Sequence, residues 1–273
     1  MRVGIVQLTS TENLQTNLDA ADKALQEAVD RGAGFVALPE NFAYMRREGD
    51  ALHDVRAIQS AAERCLSDWA RRHHIWLLGG SFPEAIENDE RVYNTSVLLS
   101  PEGIEVARYR KIHLFDVSLG ANAEEVYCES RHFKPGREIV TAATPFGHVG
   151  LSICYDLRFP ELYRGLVERN AGWITVPSAF VRETGKDHWR VLLRARAIES
   201  QAFVLAPAQC GRHSADRTSH GHSLLIDPWG SVLAEAANEP CVLIANCPEA
   251  EIDRVRKAIP ALSHRRLPSG TQV

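Results

Sequence analysis

Three side chains that could carry out nucleophilic catalysis each follow a stretch of sequence that predicts a β-strand. They are a carboxylate, an amine and a thiol: Glu40 after residues 35–38, Lys111 after residues 106–109, and Cys154 at the end of residues 149–153. Active-site groups of α/β proteins collect at the carboxyl ends of strands, because the loops there vary over a rigid frame. We therefore expect the three side chains to meet at one site.

Each of these residues also has an ordinary structural explanation when it is taken alone. A carboxylate at the start of a loop is usually solvated, a lysine in a basic run usually lies on the surface, and a cysteine in an apolar strand usually belongs to the core. Together they favour a cysteine nucleophile, because a thiol with an ordinary pKa of about 8.5 needs a nearby base or cation at neutral pH. Ser152 is a weaker candidate, since Gly150-Leu151-Ser152-Ile153-Cys154 lacks the last glycine of a serine-hydrolase elbow.

The elements that must position these residues form two similar halves. In the first half, the hydrophobic pattern predicts strands at 2–8, 35–38, 75–80, 94–99 and 104–109, with helices at 13–31 and about 54–72. From residue 147 the order returns, with strands at 149–154, 173–177, 203–207, 224–227, 232–235 and 242–246, and helices at 160–170, 188–201 and about 249–259. No linker rich in Pro, Gly or Ser separates the halves. The two halves together therefore indicate a single α/β domain over residues 1–273, with a tail from about residue 260. We expect this domain to be a four-layer α-β-β-α sandwich.

The composition excludes several classes of protein. The 273 residues carry 31 Lys and Arg against 35 Asp and Glu, and the mixed signs give no basic stripe for nucleic acid. The sequence contains neither a signal peptide nor a run of 18 apolar residues, so we expect a cytoplasmic protein with no membrane partner. Its six cysteines lack the dense spacing of a disulfide framework and are expected to be reduced.

Four possible metal ligands lie close together near residue 215. They are Cys210, His213, His220 and His222, and their spacing fits no common structural zinc site. The glycine-rich patterns of dinucleotide and phosphate sites and the HExxH pattern are also absent. We expect neither a metal nor a cofactor, and a zinc-binding protein stays as an alternative.

Three ordered motifs resemble the signatures of the nitrilase superfamily of carbon–nitrogen hydrolases. They are Leu38-Pro39-Glu40, the run from Tyr109 through Lys111 to Asp116, and the run from Ile153 through Cys154 to Glu161. The resemblance extends over almost the whole chain and implies the same α-β-β-α fold. It implies catalytic roles for Glu40, Lys111 and Cys154, and for a second glutamate at Glu129.

The chemistry of such a site explains the residue types. The Cys154 thiolate would attack an amide carbonyl, and the Lys111 ammonium and the backbone N–H of Tyr155 would hold the oxyanion. Glu40 would protonate the departing nitrogen and then activate the water that hydrolyses the thioester. Glu129 is expected to orient the substrate or Lys111.

Finer motifs resemble the branch of the family that acts on amides of 2-oxo acids, in its deaminated glutathione amidase type. They include Pro177-Ser178-Ala179-Phe180, the run 208–213 and the run 221–230. The resemblance implies a small-molecule amide substrate whose pocket is lined by Tyr155, Phe180 and Thr184. Arg158, four residues after the nucleophile, is expected to grip a substrate carboxylate, because a guanidinium can form two parallel hydrogen bonds with it.

Other functions stay open at this point. Within the fold they are an ω-amidase acting on 2-oxoglutaramate or 2-oxosuccinamate and a β-ureido acid hydrolase. From another class, the alternative is a non-catalytic or zinc-binding protein. Charged residues at 182–183 and 186–187 depart from the family pattern and could alter the substrate. The resemblance also implies a twofold homodimer, in line with the common occurrence of closed symmetric assemblies.

Overall fold

The computed structural model describes residues 1–47, 50–120 and 125–267. Within these ranges the strands form two large sheets and two short hairpins. The first hairpin pairs β7 with β8, and the second pairs β13 with β14: Asp116–Leu119 with Glu125–Cys128, and Cys210–Arg212 with Thr218–His220.

The first sheet contains seven strands among the residues that the structure describes. They are β1 Arg2–Gln7, β2 Phe35–Ala37, β3 Trp76–Leu78, β4 Phe82–Ala85, β5 Val92–Leu99, β6 Glu105–Arg110 and β17 Cys241–Asn246. The order across the sheet is β17-β1-β2-β3-β5-β4, with β6 also paired to β5. The central strands β1, β2 and β3 are parallel, and the flanking strands pair antiparallel to their neighbours.

The second sheet repeats this plan with six strands in the described part of the chain. They are β9 Thr141–Thr144, β10 Gly147–Leu151, β11 Ala171–Thr175, β12 Phe203–Ala206, β15 Leu224–Ile226 and β16 Val232–Glu235. The order is β16-β15-β12-β11-β10-β9, and β10, β11 and β12 are parallel. Each half of the chain therefore builds one sheet with a parallel centre.

The helices cover the outer faces of the two sheets. They are α1 Leu14–Asp30, α2 Val55–His73, α3 Pro160–Glu168, the single turn α4 Arg182–Thr184, α5 Arg190–Ser200 and α6 Ala250–Ala258. Helix α1 begins after Asn13, whose side-chain oxygen accepts the Thr16 N–H at 2.9 Å and satisfies one of the unpaired donors of the first turn. Helices α1 and α2 pack on the first sheet, and α3 and α5 pack on the second.

Alternate residues of the strands face two separate cores. In β2, Phe35 and Ala37 pack in the core between the sheets, which also contains Trp173 and Phe203 from the second sheet. The intervening Val36 joins a second core with the apolar faces of α1 and α2. This alternation follows from the period of two along a strand. The predicted four-layer α-β-β-α sandwich is confirmed.

Several boundaries differ from the sequence-based expectation. Strand β10 ends at Leu151, so Cys154 does not close the strand but begins a 3₁₀ helix, Cys154–Arg158. The helix expected at 188–201 is a π-helix, Gly185–Trp189, followed by α5. The short strands β4, β7, β8, β9, β13 and β14 were not predicted, because each contains polar residues that break an apolar run, unlike the equally short β2, β3 and β15. The single domain stays a prediction, and residues 268–273 of the expected tail lie outside the described residues.

Gly80 allows a close approach that positions the loop containing Glu40. Its φ is +53°, and a Cβ at this residue would lie 2.1 Å from the carbonyl oxygen of Pro39. Ser81, the next residue, also bonds this loop, since its hydroxyl accepts the Asn41 N–H at 3.0 Å. Any larger residue at position 80 must therefore displace the backbone next to Glu40.

We expect Gly80→Ala to destabilise the protein more than a glycine substitution at a similar φ without a backbone contact. Gly32 supplies the control, because its φ is +82° and the nearest atom to an added Cβ is 3.6 Å away. Gly32→Ala should lower the free energy of unfolding by about 1 kcal/mol through backbone strain alone. Gly80→Ala should cost at least about 2 kcal/mol more because the backbone must move. Equal losses in urea unfolding would show that the Pro39 contact does not constrain the fold.

Candidate active site

Lys111, Glu40 and Glu129 form a buried cluster of charges. The Lys111 ammonium lies 3.1 Å from Oε1 of Glu40 and 3.0 and 2.9 Å from the two carboxylate oxygens of Glu129. The Lys111 side chain is 2% exposed and that of Glu40 is 4% exposed. Such a pair is stable in the interior only when its remaining polar atoms also have partners.

The backbone around the cluster supplies several of those partners. Oε2 of Glu40 accepts the Ala179 N–H at 2.8 Å, and Oε2 of Glu129 accepts the Phe115 N–H at 2.6 Å. The Asn94 side chain donates to Oε1 of Glu40 at 2.9 Å. Glu40 is therefore held by groups from three distant parts of the chain.

Cys154 has a left-handed backbone conformation, which residues other than glycine seldom adopt. Its φ is +48°, and its N–H donates to the Pro177 carbonyl at 3.0 Å. A left-handed conformation at a residue other than Gly, Asn or Asp is strained and is common at functional sites. The Cys154 thiol and the Glu40 carboxylate line the same cavity, and the carboxylate raises the pKa of the thiol.

Asp156 ties the turn containing Cys154 to the segment containing Lys111. Its fully buried carboxylate accepts the Ile153 N–H at 2.9 Å and the Tyr109 hydroxyl at 2.6 Å. It also accepts the His113 N–H at 3.0 Å. Because Tyr109 and His113 flank Lys111 in the sequence, Asp156 fixes the nucleophile relative to the ammonium.

Gly136 holds the Lys111 backbone from the other side. Its N–H donates to the Lys111 carbonyl at 2.8 Å. A Cβ at Gly136 would lie 2.1 Å from the Arg110 carbonyl oxygen, so only glycine permits this approach.

The cluster raises the pKa of both Lys111 and Cys154. Burial alone lowers the pKa of Lys111, but the carboxylates of Glu129 and Glu40 outweigh burial and raise that pKa above its usual range. Burial and the Glu40 carboxylate raise the pKa of Cys154 well above its usual range, although Lys111 opposes them. The resting site therefore contains a charged ammonium and a protonated thiol.

A cavity with an empty volume of about 880 Å³ opens onto this cluster. Seven of the eight predicted site residues line it, namely Glu40, Lys111, Glu129, Cys154, Tyr155, Phe180 and Thr184. The Thr184 hydroxyl is buried and has no hydrogen-bond partner within the described residues. A ligand in the cavity could supply that partner.

Arg158 is the predicted site residue that the structure does not bring to this cavity. Its Nη1 lies 3.2 Å from Nδ1 of His188, and its guanidinium carbon lies 5.5 Å from the centre of the Phe180 ring. A spacing of four residues returns to the same face of an α-helix, but the 3₁₀ helix has three residues per turn. Arg158 therefore lies beside the cavity rather than on its wall, and its expected contact with a substrate carboxylate stays a prediction.

Two other arginines line the cavity and were missed in the sequence analysis. They are Arg46 and Arg217, and Nη1 of Arg217 donates to the Arg46 carbonyl at 2.8 Å. Nη1 of Arg46 donates to the carbonyls of Arg47 and Asp50 at 2.9 and 2.8 Å. Neither arginine comes directly after a predicted helix or strand, so no sequence pattern indicated where it would lie. Asn94 was also missed, because it is one of three consecutive polar residues in β5 and the strand pattern does not single it out.

The residues considered as metal ligands have other partners. Nδ1 of His213 lies 2.8 Å from the Ser10 carbonyl, and Nε2 lies 2.8 Å from the Ser219 hydroxyl. Burial lowers the pKa of His213 to about 4. No group of three or more His, Cys, Asp or Glu side chains within residues 1–47, 50–120 and 125–267 is arranged to hold a metal ion.

In those same ranges, no helix combines the length and apolar character that crossing a bilayer requires.

Comparisons with known proteins agree with this geometry. The profile of the carbon-nitrogen hydrolase family matches residues 2–257. The deaminated glutathione amidase of Synechocystis sp. (strain PCC 6803 / GT-S) is 44% identical over 95% of this chain and 96% of its own length. The deaminated glutathione amidase of Homo sapiens is 39% identical over 97% of this chain and 82% of its own length.

A solved structure shows the same fold. The crystal structure of the Caenorhabditis elegans NitFhit protein matches with a TM-score of 0.90 and 36% identity. The match covers 97% of this chain but 65% of that longer chain. The chain belongs to the carbon–nitrogen hydrolase family of the nitrilase superfamily, as its three motifs predicted, and it is a hydrolase of carbon–nitrogen bonds.

Proposed function

We propose that Cys154, Lys111 and Glu40 hydrolyse the amide bond of a small carboxylate-bearing substrate through a thioester on Cys154. The observation that carries this proposal is the buried ammonium of Lys111, held between two carboxylates on the wall of a cavity that also contains the thiol. A nucleophile, a base and a fixed positive charge at one site are the groups that acyl transfer requires.

The first step forms the bond between sulfur and carbon. Because its pKa is raised, the Cys154 thiol is protonated at rest, so its proton must leave as the sulfur attacks the carbonyl carbon. Glu40 accepts this proton. The negative charge that develops on the carbonyl oxygen is stabilised by Lys111 and the backbone N–H of Tyr155, at about 3 kcal/mol for each donor.

The second step breaks the carbon–nitrogen bond and restores the enzyme. Glu40 returns its proton to the nitrogen, and the free amine leaves behind a thioester. Water then attacks the thioester while Glu40 takes a proton from it, and the released carboxylic acid leaves the Cys154 thiol in its starting form. Glu129 keeps two contacts with Lys111, so one ammonium N–H can turn toward the oxyanion without leaving Glu129 unpaired.

Deaminated glutathione is the proposed substrate, with 2-oxoglutarate and cysteinylglycine as products. The names of the relatives that match almost the full chain support this choice. The cavity also contains Arg46 and Arg217, and a guanidinium is well suited to binding a carboxylate. These two residues take the place that the sequence analysis gave to Arg158.

The cytoplasmic location and the homodimer expected from the sequence stay proposals. The homodimer is supported by an exposed apolar patch on the second half of the chain. Val191 and Ile198 are 67% and 50% exposed and lie seven residues apart on one face of α5. Gly230 lies against Ile198, and its sequence neighbour Trp229 is 49% exposed. A patch of this kind marks an interaction surface in many proteins.

Cys154→Ala is expected to abolish release of 2-oxoglutarate from deaminated glutathione without unfolding the protein. Losing a nucleophile removes the thioester path, whereas losing one sulfur at the start of a turn costs little stability. Cys241→Ala is the matched control, because Cys241 is half-buried in β17 and does not line the cavity. Comparable activity of Cys154→Ala and Cys241→Ala would contradict the proposed nucleophile.

Arg217→Lys is expected to reduce kcat/KM for deaminated glutathione about tenfold to a hundredfold, which is about 1.4–3 kcal/mol. The lysine keeps the charge but loses the two parallel hydrogen bonds. Activity on a neutral amide such as propionamide should change much less. Arg158→Lys is the control and should change neither reaction, since Arg158 contacts His188 outside the cavity.

The same assay decides among the substrate classes. A larger loss for Arg158→Lys than for Arg217→Lys would return the carboxylate contact to Arg158. A wild type that prefers 2-oxoglutaramate would be an ω-amidase, and one that acts only on carbamoyl amino acids would be a β-ureido acid hydrolase.

Replacing Val191 and Ile198 together by Glu is expected to convert a dimer into a monomer. Two buried charges at an apolar interface cost more than the lost contacts alone. Sedimentation or light scattering should give twice the chain mass of 30.3 kDa for the wild type and a single chain mass for the variant. A monomeric wild type, or a variant that stays dimeric, would place the interface elsewhere or remove it.

A further inference from the structure

Asn94 contacts Lys111, Glu40 and Glu129, yet it has no role in the mechanism described so far. It lies in β5, is 2% exposed, and its carbonyl accepts the Lys111 N–H at 2.9 Å. Its side-chain Nδ2 donates to Oε1 of Glu40 at 2.9 Å and lies 3.5 Å from Oε1 of Glu129. The residue therefore connects the strand to both carboxylates and to the lysine backbone.

The orientation of the Asn94 amide follows from its neighbours. With Nδ2 toward Glu40, a donor faces a carboxylate oxygen, whereas the flipped amide would place Oδ1 against that oxygen. The price is a buried Oδ1 with no hydrogen-bond partner in the part of the chain that the structure describes. An unpartnered buried acceptor is unfavourable, so the contact with Glu40 must outweigh it.

The two oxygens of Glu40 differ in how many donors they already have. Oε1 accepts both the Lys111 ammonium at 3.1 Å and Asn94 Nδ2 at 2.9 Å, which fills its two lone pairs. Oε2 accepts the Ala179 N–H at 2.8 Å and keeps one lone pair for a further proton. Cys154 is the group with a proton to give, because it lines the same cavity as Glu40 and its raised pKa keeps the thiol protonated.

We propose that Asn94 is a positioning residue that occupies Oε1 of Glu40 together with Lys111 and thereby reserves Oε2 as the base for the Cys154 proton. This inference rests on the proposed function. A carboxylate whose Oε1 loses this donor can take its proton on the wrong oxygen and can rotate away from the sulfur.

The test compares Asn94→Ala and Asn94→Asp with wild type on deaminated glutathione over about pH 5 to pH 9. We expect kcat of Asn94→Ala to fall about tenfold to a hundredfold with little change in KM. Losing a hydrogen-bond donor to the base should also move the acid limb of the kcat/KM profile to higher pH, whereas a merely structural role would leave the limb in place. Asn94→Asp keeps the shape of the side chain but adds a carboxylate against Glu40, so it should move the same limb further.

Ser96→Ala is the matched control for these variants. Ser96 lies two residues along the same strand, is fully buried, and its hydroxyl has no partner among the described residues. Its loss should leave kcat and the acid limb unchanged. If Asn94→Ala does not fold, as judged by thermal unfolding, the nearly isosteric Asn94→Asp still tests the direction of the shift.

Two outcomes would overturn this inference and leave the proposed function intact. One is that the Asn94 variants match Ser96→Ala, and the other is that they lower kcat equally at every pH, which is what a merely structural role predicts. The proposed function fails in a different way, through wild type and Cys154→Ala having the same activity.

Discussion

The buried ammonium of Lys111 is the interaction on which the rest of the site depends. A lone charge in the interior is costly, and removing one partner of a buried pair typically destabilises a protein by about 3–5 kcal/mol. Here two carboxylates surround the ammonium, and the backbone N–H groups of Ala179 and Phe115 each donate to one oxygen of these carboxylates. The cluster is therefore paired in the resting enzyme, and its charge is already in place when the substrate carbonyl becomes an oxyanion.

The fold explains how these groups come together from distant parts of the sequence. Glu40 follows β2 and Lys111 follows β6, both in the first sheet, whereas Cys154 follows β10 in the second sheet. The site exists only where the two sheets pack face to face, so the apolar core between them is also what brings nucleophile and base together. Asp156 and Gly136 then fix the remaining freedom of the two loops.

Much of this could be predicted from the sequence, because the relevant signals are local. The strands that precede Glu40 and Cys154 are apolar enough to be recognised, and the residues after them fall where catalytic groups collect. The position of Arg158 depends on a detail that the sequence pattern does not show, since the choice between an α-helix and a 3₁₀ helix rotates residue i+4 by about 80°. Arg217 and Asn94 act through contacts with residues far along the chain, namely Arg46 and Glu40, and no periodicity encodes such contacts.

The central claim is that the amide is cleaved through an acyl group on Cys154. The most direct measurement is the mass of the intact protein, and then of the peptide containing Cys154, after acid quenching during turnover of deaminated glutathione. We expect an added 2-oxoglutaryl group on Cys154, in a thioester that hydroxylamine removes. Undiminished turnover with no adduct on Cys154 at any quench time, or an adduct on another residue, would contradict it.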